Sequence, residues 1–378
     1  MKCKLLATTV LAAATLLIGC TTQNNNDEIL IPAGLGNKCG YIDKTGKWVI
    51  NPQLDYYEVS SFAENGFARV KLNGKYGYID KTCNLVIATQ FDYTDDFGNG
   101  LAIAELNDKW GFIDKTGNWA INPQFDDIDV FADNGLACVK LNGKYGYIDK
   151  TGNWVINPQF DEAEDFAENG LARVKLNRKH GYIDITGKWV INPQFNWAGG
   201  FAGNGLAHVE LNGKSGYIDK TGKWVINPQF DWAYGFAQNG LAPVRLNGKW
   251  GYIDKTGNWI INPQFDDVDS FAENNLAPAK LNGYWGYIDK TGKWVVNPQF
   301  DGVWNFAENG LACVWLNRKC GCIDETGKLI ANPQYDNVII FENTIFFNQN
   351  GKWGIIDKNG NIVANPQFDW VVYKPLGY

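Results

Sequence analysis

Aromatic side chains suited to ligand contact stand in short segments that differ from one another more than the rest of the sequence does. They are Trp197, Trp232, Tyr234 and Trp304. Tryptophan and tyrosine combine a large apolar face with a polar tip, which suits contacts with proteins and with the faces of sugar rings. We therefore predict a binding surface at these residues. The alternative is that the tryptophans fill gaps between neighbouring structural units.

Carboxylates cluster in other segments of the same kind. The clusters include Asp126, Asp127 and Asp129, and Asp266, Asp267 and Asp269. Closely spaced oxygens suit Ca²⁺, but the glycine and glutamate of an EF-hand loop are absent, which favours a solvated acidic loop. Two carboxylates roughly 5–10 Å apart could hydrolyse a glycosidic bond. No acidic residue differs in kind from its equivalents, so we predict no catalytic residue and no enzyme.

Cysteine and histidine form no metal-ligand pattern. After the first twenty residues the cysteines are Cys39, Cys83, Cys138, Cys313, Cys320 and Cys322. An exported protein could pair them, but no Cys-x-x-Cys is present, and each stands at a position that indicates packing. We expect His180 to be packed and His208 to be exposed, without a catalytic partner for either. The sequence therefore predicts no metal and no cofactor.

These residues are carried by a repeat that fills the chain. Its marker is a glycine that recurs ten times: Gly40, Gly77, Gly111, Gly146, Gly181, Gly216, Gly251, Gly286, Gly321 and Gly354. The spacings are 37, 34, then 35 six times, then 33 residues. A fixed period of this length is typical of arrays whose units bury their apolar faces only against neighbours.

One repeat, residues 206–240, predicts three short antiparallel strands. Asn212-Gly213 is typical of a two-residue hairpin turn, because both positions tolerate positive φ. The segment 219–222, with sequence DKTG, predicts the second turn, and the aromatic and β-branched segment 224–226 predicts the third strand. We expect Asn227-Pro228 to end that strand and residues 229–240 to be a connector.

Two polar residues occur in all ten copies. They are the aspartate after the repeated isoleucine, from Asp43 to Asp357, and a glutamine, from Gln53 to Gln367. A residue that every unit retains serves something that every unit does. We therefore expect structural roles for both, by turn capping and by buried amide pairing.

The segment 249–266, KWGYIDKTGNWIINPQFD, resembles the WG (also KWG) repeat of bacterial proteins. The resemblance extends over about nine-tenths of the chain, from roughly Leu30 to Asp369. It implies a bacterial, β-rich repeat protein, often at the cell surface, without established catalytic residues. The tryptophan of the motif survives only at Trp110, Trp250, Trp285 and Trp353.

The architecture has two candidates, both all-β. An open solenoid or superhelix of ten units of ~35 residues is the first, because the units look whole and the irregular end units look like caps. A closed β-propeller is the alternative; such rings usually share a split blade between their termini. The predicted array with its capping tail covers residues 30–378.

The N-terminus predicts export and lipid anchoring. Residues 1–20 combine Lys2 and Lys4 with an apolar run that ends in Leu-Ile-Gly-Cys, so they read as a lipoprotein signal peptide with Cys20 as the acylated residue, for example by palmitate. Residues 21–29 read as a polar tether. The alternatives to a lipoprotein signal are an ordinary signal peptide with an incidental cysteine and an uncleaved anchor. Thr21 favours the outer membrane if the host is Gram-negative.

Charge limits the choice of partners. The chain has 378 residues and a net charge of −7 without a basic stripe, which excludes nucleic acid as the expected partner. We predict a non-catalytic scaffold in the bacterial cell envelope that recognises an envelope protein or a polysaccharide and reaches the membrane through its lipid anchor. A glycan hydrolase with carboxylates from different repeats and a purely structural envelope spacer are the alternatives.

Overall fold

The computed structural model describes residues 29–54, 58–63, 65–341 and 343–371. In these residues the regular structure consists of forty β-strands, without a helix. The predicted signal peptide, the lipidation site at Cys20 and most of the tether lie outside the described residues.

The first twenty strands are listed here in chain order: β1 (Ile31–Leu35), β2 (Lys38–Ile42), β3 (Trp48–Leu54), β4 (Glu58–Val59), β5 (Phe67–Leu72), β6 (Lys75–Asp80), β7 (Leu85–Phe91), β8 (Tyr93–Thr94), β9 (Leu101–Leu106), β10 (Lys109–Asp114), β11 (Trp119–Phe125), β12 (Asp127–Ile128), β13 (Leu136–Leu141), β14 (Lys144–Asp149), β15 (Trp154–Phe160), β16 (Glu162–Phe166), β17 (Leu171–Leu176), β18 (Lys179–Asp184), β19 (Trp189–Phe195) and β20 (Trp197–Phe201).

The other twenty strands follow in the same order: β21 (Leu206–Leu211), β22 (Lys214–Asp219), β23 (Trp224–Phe230), β24 (Trp232–Ala233), β25 (Ala242–Leu246), β26 (Lys249–Ile253), β27 (Trp259–Phe265), β28 (Asp267–Val268), β29 (Leu276–Leu281), β30 (Tyr284–Asp289), β31 (Trp294–Phe300), β32 (Gly302–Val303), β33 (Leu311–Leu316), β34 (Lys319–Asp324), β35 (Leu329–Tyr335), β36 (Asn337–Phe341), β37 (Thr344–Gln349), β38 (Lys352–Ile356), β39 (Ile362–Phe368) and β40 (Trp370–Val371).

These strands form ten antiparallel sheets of four strands each. Nine sheets take four consecutive strands; we number them blades 2 to 10, from β4–β7 to β36–β39, and call their strands first to fourth. The first strand of each blade comes from the segment that the sequence suggested to be a connector. Blade 1 takes β1, β2 and β3 from the N-terminal part and β40 from the C-terminal part.

The structure confirms both predicted turns, the two-residue hairpin and the turn capped by aspartate. Asn212 and Gly213 have φ of 51° and 76°, as a two-residue hairpin requires. In the second turn the Asp219 carboxylate accepts hydrogen bonds from the Thr221 amide at 2.9 Å and the Thr221 hydroxyl at 2.6 Å. The equivalent aspartate caps the turn in the other nine copies, so its structural role is as expected.

The fourth strand departs from the prediction in two ways. It continues through the Asn-Pro pair to the conserved aromatic residue, so Asn227-Pro228 does not end it. Between the pairs Ser215↔Phe230 and Tyr217↔Ile226 the fourth strand carries extra residues as a bulge, which accommodates the proline. The repeated glutamine is exposed in all nine copies whose side chains are described, so the predicted buried amide pairing is wrong.

Neighbouring blades share an apolar core. Leu206, Tyr217 and Phe230 of blade 6, for example, pack in one cluster with Phe236 and Val244 of blade 7. One such cluster lies at each of the ten joints between blades. Each blade therefore buries both of its faces against other blades rather than within itself.

The ring closes, and the prediction of an open solenoid is wrong. Strand β40 pairs with β1 through Gly34↔Trp370 and Ala33↔Val371. Ile42 of blade 1 packs with Phe346 and Phe368 of blade 10 in the same kind of cluster as at the other joints. The chain is thus a ten-bladed β-propeller. Closure is favoured because an open stack would leave an apolar blade face exposed at each end.

The described residues contain no helix of the length and apolarity needed to cross a bilayer.

Three hairpin turns place a residue other than glycine at positive φ in their second turn position, namely Asp108, Arg178 and Arg318, and the two arginines carry strain that glycine relieves in other copies. Arg178 and Arg318 hold φ of 64° and 62° where most other copies have glycine. We expect Arg318→Gly to raise the free energy of unfolding by about 1 kcal/mol, because left-handed φ costs an L-residue roughly that much. Chemical denaturation followed by tryptophan fluorescence measures it. The reciprocal change Gly213→Arg is the control and should destabilise; equal midpoints for Arg318→Gly and wild type would contradict the strain.

Candidate binding site

The four predicted binding residues lie on the first strands of three blades or directly after them. Trp197 begins β20 in blade 6, Trp232 begins β24 in blade 7, and Trp304 follows β32 in blade 9. Tyr234 lies two residues after Trp232. The rings of Trp197, Tyr234 and Trp304 contact His208, Trp250 and Trp315 of their own blades. No ring contact among the described residues joins Trp197, Trp232 and Trp304. The structure therefore places them in equivalent positions but does not bring all three together.

Blade 7 holds an aromatic group with free surface. Trp232 and Tyr234 are 44% and 40% exposed. The Tyr234 ring stacks on the buried Trp250 with 5.2 Å between centroids and 5° between planes. In the sheet, Trp232 lies opposite Arg245, which lies opposite Trp250. Across the strands of blade 7, the Trp232 indole, the Arg245 guanidinium and the Trp250 ring thus follow one another, and Tyr234 stacks on the last of them.

The backbone at Tyr234 is fixed from both sides. Its N–H donates to the Pro243 carbonyl at 3.0 Å within blade 7. Its carbonyl accepts from the hydroxyl of Tyr217 in blade 6 at 2.7 Å. Burial, together with the carboxylates of Asp267 and Asp269, raises the pKa of the Tyr234 hydroxyl. The ring is therefore held in place, and its hydroxyl remains a hydrogen-bond donor at neutral pH.

A groove of about 480 Å³ begins at Tyr234 and lies between blades 7 and 8. Its lining comprises residues 234–238 and 270–273. Phe236 and Phe271 are buried and supply apolar surface, whereas Gln238 and Glu273 are exposed. The Gln238 amide donates to the Glu273 carboxylate at 3.3 Å. The groove thus combines aromatic walls with a few polar groups, as small-molecule and sugar sites do.

Trp197 serves a joint between blades. Its ring lies 4.3 Å from the ring of His208 and 5.6 Å from the Arg173 guanidinium of blade 5, measured to the ring centroid. The Arg173 guanidinium also donates to the Ala198 carbonyl of blade 6 at 2.5 Å. Trp197 is half-buried, so here the gap-filling alternative describes the tryptophan better than ligand contact does.

His208 is half-buried beneath Trp197, so the expectation of an exposed histidine is wrong. Its Nδ1 is buried without a hydrogen-bond partner. A Cβ on Gly199 would stand 2.4 Å from the ring, so only glycine leaves room for this histidine. Burial and the Arg173 charge lower the pKa of His208 to about 4. Burial also lowers the pKa of His180, which is packed as expected, to about 4.

Trp304 forms a smaller aromatic pair. It is 50% exposed, and its ring lies 5.3 Å from that of Trp315 in the same blade. Gly302 stands across from Trp315 in the sheet and has no side chain to cover that ring. The pair therefore offers an aromatic surface.

The acidic first strands are matched by lysines across the sheet. Asp127 lies opposite Lys140, and Asp267 lies opposite Lys280. Glu162 pairs with Lys175 at 2.6 Å. These pairs account for the acidic segments as a solvated, charge-matched face. Among the described residues no group of three or more His, Cys, Asp and Glu is arranged to hold a metal ion.

Two aspartates of neighbouring blades have raised pKa values. Burial and the neighbouring Asp129 charge raise the pKa of Asp165 to about 6. Burial and Asp127 raise the pKa of Asp129. The two aspartates belong to neighbouring repeats, as the hydrolase alternative requires. Their burial is only partial, because both residues keep surface in contact with water, which favours the ionised forms.

Sequence reasoning missed the partners that build the aromatic site. Trp250 is a tryptophan of the repeat motif, so the sequence gives no reason to group it with Trp232, and no local pattern marks Trp315. Trp250 lies 18 residues after Trp232, at the third strand of the row that Trp232 begins. The signal that could have found it is the sheet register, which follows only when the variable segment is recognised as a strand.

A comparison with known protein families supports the repeat that was identified in the sequence. A family model described as a WG containing repeat matches ten segments, residues 40–76, 76–110, 110–145, 145–179, 181–214, 216–250, 250–285, 285–320, 321–353 and 353–373. No curated protein matches the sequence.

Solved structures show similarity of fold. The crystal structure of a eukaryotic initiation factor aligns with TM-score 0.51 and 10% identity, over 80% of this chain and 95% of that chain. The dihydro-heme d1 dehydrogenase NirN aligns with TM-score 0.41 and 11% identity, over 93% and 76% of the two chains. The extracellular domain of a putative one component system from B. thetaiotaomicron aligns with TM-score 0.30 and 11% identity, over 94% and 62%. At such identities the initiation factor supports a similarity of fold alone, and the other two structures support no further conclusion.

The lowered pKa values of the two histidines predict a pH-dependent stability. An unfolded chain binds protons at these histidines near pH 6.5, whereas the folded protein binds them only near 4. Stability should therefore fall as the pH drops from about 6.5 to 4. The variant His180→Tyr installs the residue that other copies have at Tyr76 and Tyr145. Over this pH range we expect its free energy of unfolding to fall by roughly 1–3 kcal/mol less than that of wild type.

Denaturant midpoints between pH 7.5 and 4 measure this difference. The turn aspartates, whose pKa values are lowered, contribute only below pH ~4 because their unfolded values lie there. Asp165, whose pKa is raised, contributes with the opposite sign in both proteins. The comparison with His180→Tyr thus isolates one histidine, and parallel curves for the two proteins would refute its burial cost.

Proposed function

The chain belongs to the family of proteins built from WG-containing repeats, and from that premise we propose that it is a non-catalytic scaffold of the cell envelope that binds a polysaccharide at blade 7. The observation that carries this proposal is the rigid Tyr234–Trp250 stack, with exposed Trp232 beside it and a groove leading away.

The chemistry of a sugar chain fits this surface. Aromatic faces pack against the C–H faces of sugar rings, and Trp232 and Tyr234 present such faces without further ordering. Hydroxyl groups need donors and acceptors, which Gln238, Ser270 and Glu273 supply along the groove. Arg245, exposed between Trp232 and Trp250, would also suit an acidic sugar. A protein partner is the other outcome that the experiment below distinguishes.

Anchoring in the envelope rests on the N-terminal sequence. A signal peptide over residues 1–20, acylation of Cys20 and a polar tether over residues 21–29 would place the ring beside a membrane surface. Acyl chains contribute ~0.8 kcal/mol per buried methylene, so multiple acylation would hold the protein stably. The outer membrane follows if the host is Gram-negative.

A binding measurement tests the blade 7 site. We expect Trp232→Ala and Tyr234→Ala each to weaken binding to envelope polysaccharide about tenfold, because each removes ~1.4 kcal/mol of aromatic contact. Glycan arrays followed by calorimetry with the full chain in detergent measure it. Trp304→Ala is the matched control, since it removes an equally exposed tryptophan from another blade, and it should bind as wild type does.

Three outcomes would contradict the site. Binding unchanged in both blade 7 variants would exclude this surface. Equal losses in Trp304→Ala would indicate a general loss of structure. Capture of an envelope protein without any binding of polysaccharide would replace the sugar ligand by a protein.

Asp129 and Asp165 support a second candidate, a glycan hydrolase. A carboxyl with pKa near 6 can donate a proton to a leaving oxygen, and its ionised neighbour from another repeat could serve as nucleophile or base. Under this alternative the wild-type protein releases new reducing ends from a bound glycan. The variant Asp165→Asn lowers the rate of release at least 100-fold and still binds the glycan. Absence of release from any glycan that binds would eliminate it.

A further inference from the structure

Blade 9 gathers three thiols on one face of its central hairpin. Cys313 of β33 lies directly opposite Cys322 of β34, and Cys320 lies two residues before Cys322 on the same strand. Residues two apart on a strand point to the same side, so all three thiols share a face. That face packs against blade 10, and the three residues are at most 2% exposed.

The register places Cys313 and Cys322 within reach of a disulfide. The hairpin turn is Asn317-Arg318, so Leu316↔Lys319 is the hydrogen-bonded pair that closes it. Pairs alternate from there, which makes Cys313↔Cys322 a non-hydrogen-bonded pair. Such pairs have Cα atoms about 4.5 Å apart, inside the range of roughly 4.4–6.8 Å that disulfides require.

Cys313 also contacts the third thiol. Cys320 pairs with Trp315 in the sheet, two residues along from Cys313, so the Cys320 and Cys313 side chains lie diagonally across the hairpin. Their interaction is the main cause that raises the pKa of Cys313 and lowers that of Cys320. Cys313 thus stands between two possible sulfur partners. Cys320 is the member of the trio whose thiolate is favoured, and a thiolate is the form that attacks a disulfide.

The joint at this face differs from most others. In seven copies a tyrosine at the position of Cys322 donates its hydroxyl to a carbonyl of the next blade. Blade 9 lacks that hydroxyl. The Cys313 thiol instead contacts the Val338 carbonyl at 3.5 Å, as the Cys138 thiol contacts Ala163 at 3.7 Å in blade 4. A joint without the hydroxyl opens locally at lower cost, which gives a reagent access to buried thiols.

We propose that blade 9 is a thiol–disulfide exchange site in which Cys313 and Cys322 form a reversible cross-strand disulfide and Cys320 is the exchanging thiol. The electron acceptor is an external disulfide, either a small molecule or a thiol oxidoreductase. The Cys320 thiolate attacks one sulfur of it and releases the first external thiol. Cys313 then attacks the Cys320 sulfur and releases the second.

Transfer to the opposite strand completes the step. Cys322 attacks the Cys313 sulfur, the Cys313–Cys322 bond forms, and Cys320 leaves as a thiol. In total two protein thiols lose two electrons and two protons, and one external disulfide becomes two thiols. The product ties the two central strands of blade 9 beside its joint with blade 10.

Peptide mapping tests the proposal. The full chain is incubated with glutathione disulfide, quenched by alkylation and digested with trypsin, which places Cys313 in peptide 294–318 and both Cys320 and Cys322 in peptide 320–328. We expect these two peptides to be joined, with the bond located on Cys322, and to separate after dithiothreitol. Wild type in which both peptides remain fully alkylated would overturn the proposal.

Three variants resolve the roles. Cys313→Ser should abolish the joined peptide, whereas Cys320→Ser should still form it but at least tenfold more slowly. A joined peptide in Cys313→Ser, no joined peptide in Cys320→Ser, or an unchanged rate in Cys320→Ser would each refute the assignment. Cys138→Ser is the matched control, because Cys138 holds the same position in blade 4 opposite Tyr147. This control shows how serine at the equivalent position affects the fold. In it, peptides 294–318 and 320–328 should join at the wild-type rate.

Discussion

The architecture depends on the absence of one methyl-sized group at the repeated glycine of the third strand. At Gly146 a Cβ would lie 2.5 Å from the Ile156 carbonyl oxygen, and the other nine copies are equally crowded. Without a side chain there, the fourth strand bulges over the glycine and returns to pair Phe160 with Tyr145. Only Asp161 then separates that strand from the first strand of the next blade. The close approach therefore fixes both the shape of a blade and the step to its neighbour.

The joints between blades repeat the same contacts, which explains why the ring closes as it does. At most joints an aspartate after the fourth strand links a lysine of its own blade to a turn amide of the next, as Asp231 links Lys214 at 2.7 Å to Gly248 at 3.4 Å. Blade 5 has Asn196 at this position, and the Asn196 side chain accepts from the Asn212 amide. At the closing joint Asp369 pairs with Lys352 and accepts from Gly36 at 2.6 Å. The buried tyrosine hydroxyls add about 1 kcal/mol each and are missing at the joints of Phe112, Cys322 and Ile355. Joints thus share one geometry but differ in strength.

The hairpins and turns could be predicted from the sequence because their signals are local. Asn-Gly pairs and the capped Asp-x-Thr-Gly turn fix the backbone within four residues. Ring closure depends on β40, whose two residues are too few to show alternation, so the sequence alone favours a cap at this end of the chain. Exposure of the repeated glutamine likewise follows from the bulge, which no residue pattern announces. Trp232 and Tyr234 could be chosen as variable aromatics, but Trp250 joins them only through the sheet register.

The repeats differ most at the first residue of each blade and at the residue opposite it on the second strand. These two positions change together, and the changes leave the backbone undisturbed. The first residue of a blade faces one residue on the second strand, so an acid such as Asp127 stands opposite a lysine, whereas Trp197 stands opposite Glu210. Because both members lie at the half-exposed edge, a change in one is matched by the other without disturbing the buried joint. Blade 7 combines an aromatic first residue with an aromatic third strand, and the cation of Arg245 lies between them. A scaffold of ten equal frames can acquire one distinct surface in this way, since recognition requires a row that differs from its neighbours while the frame that positions it remains the same.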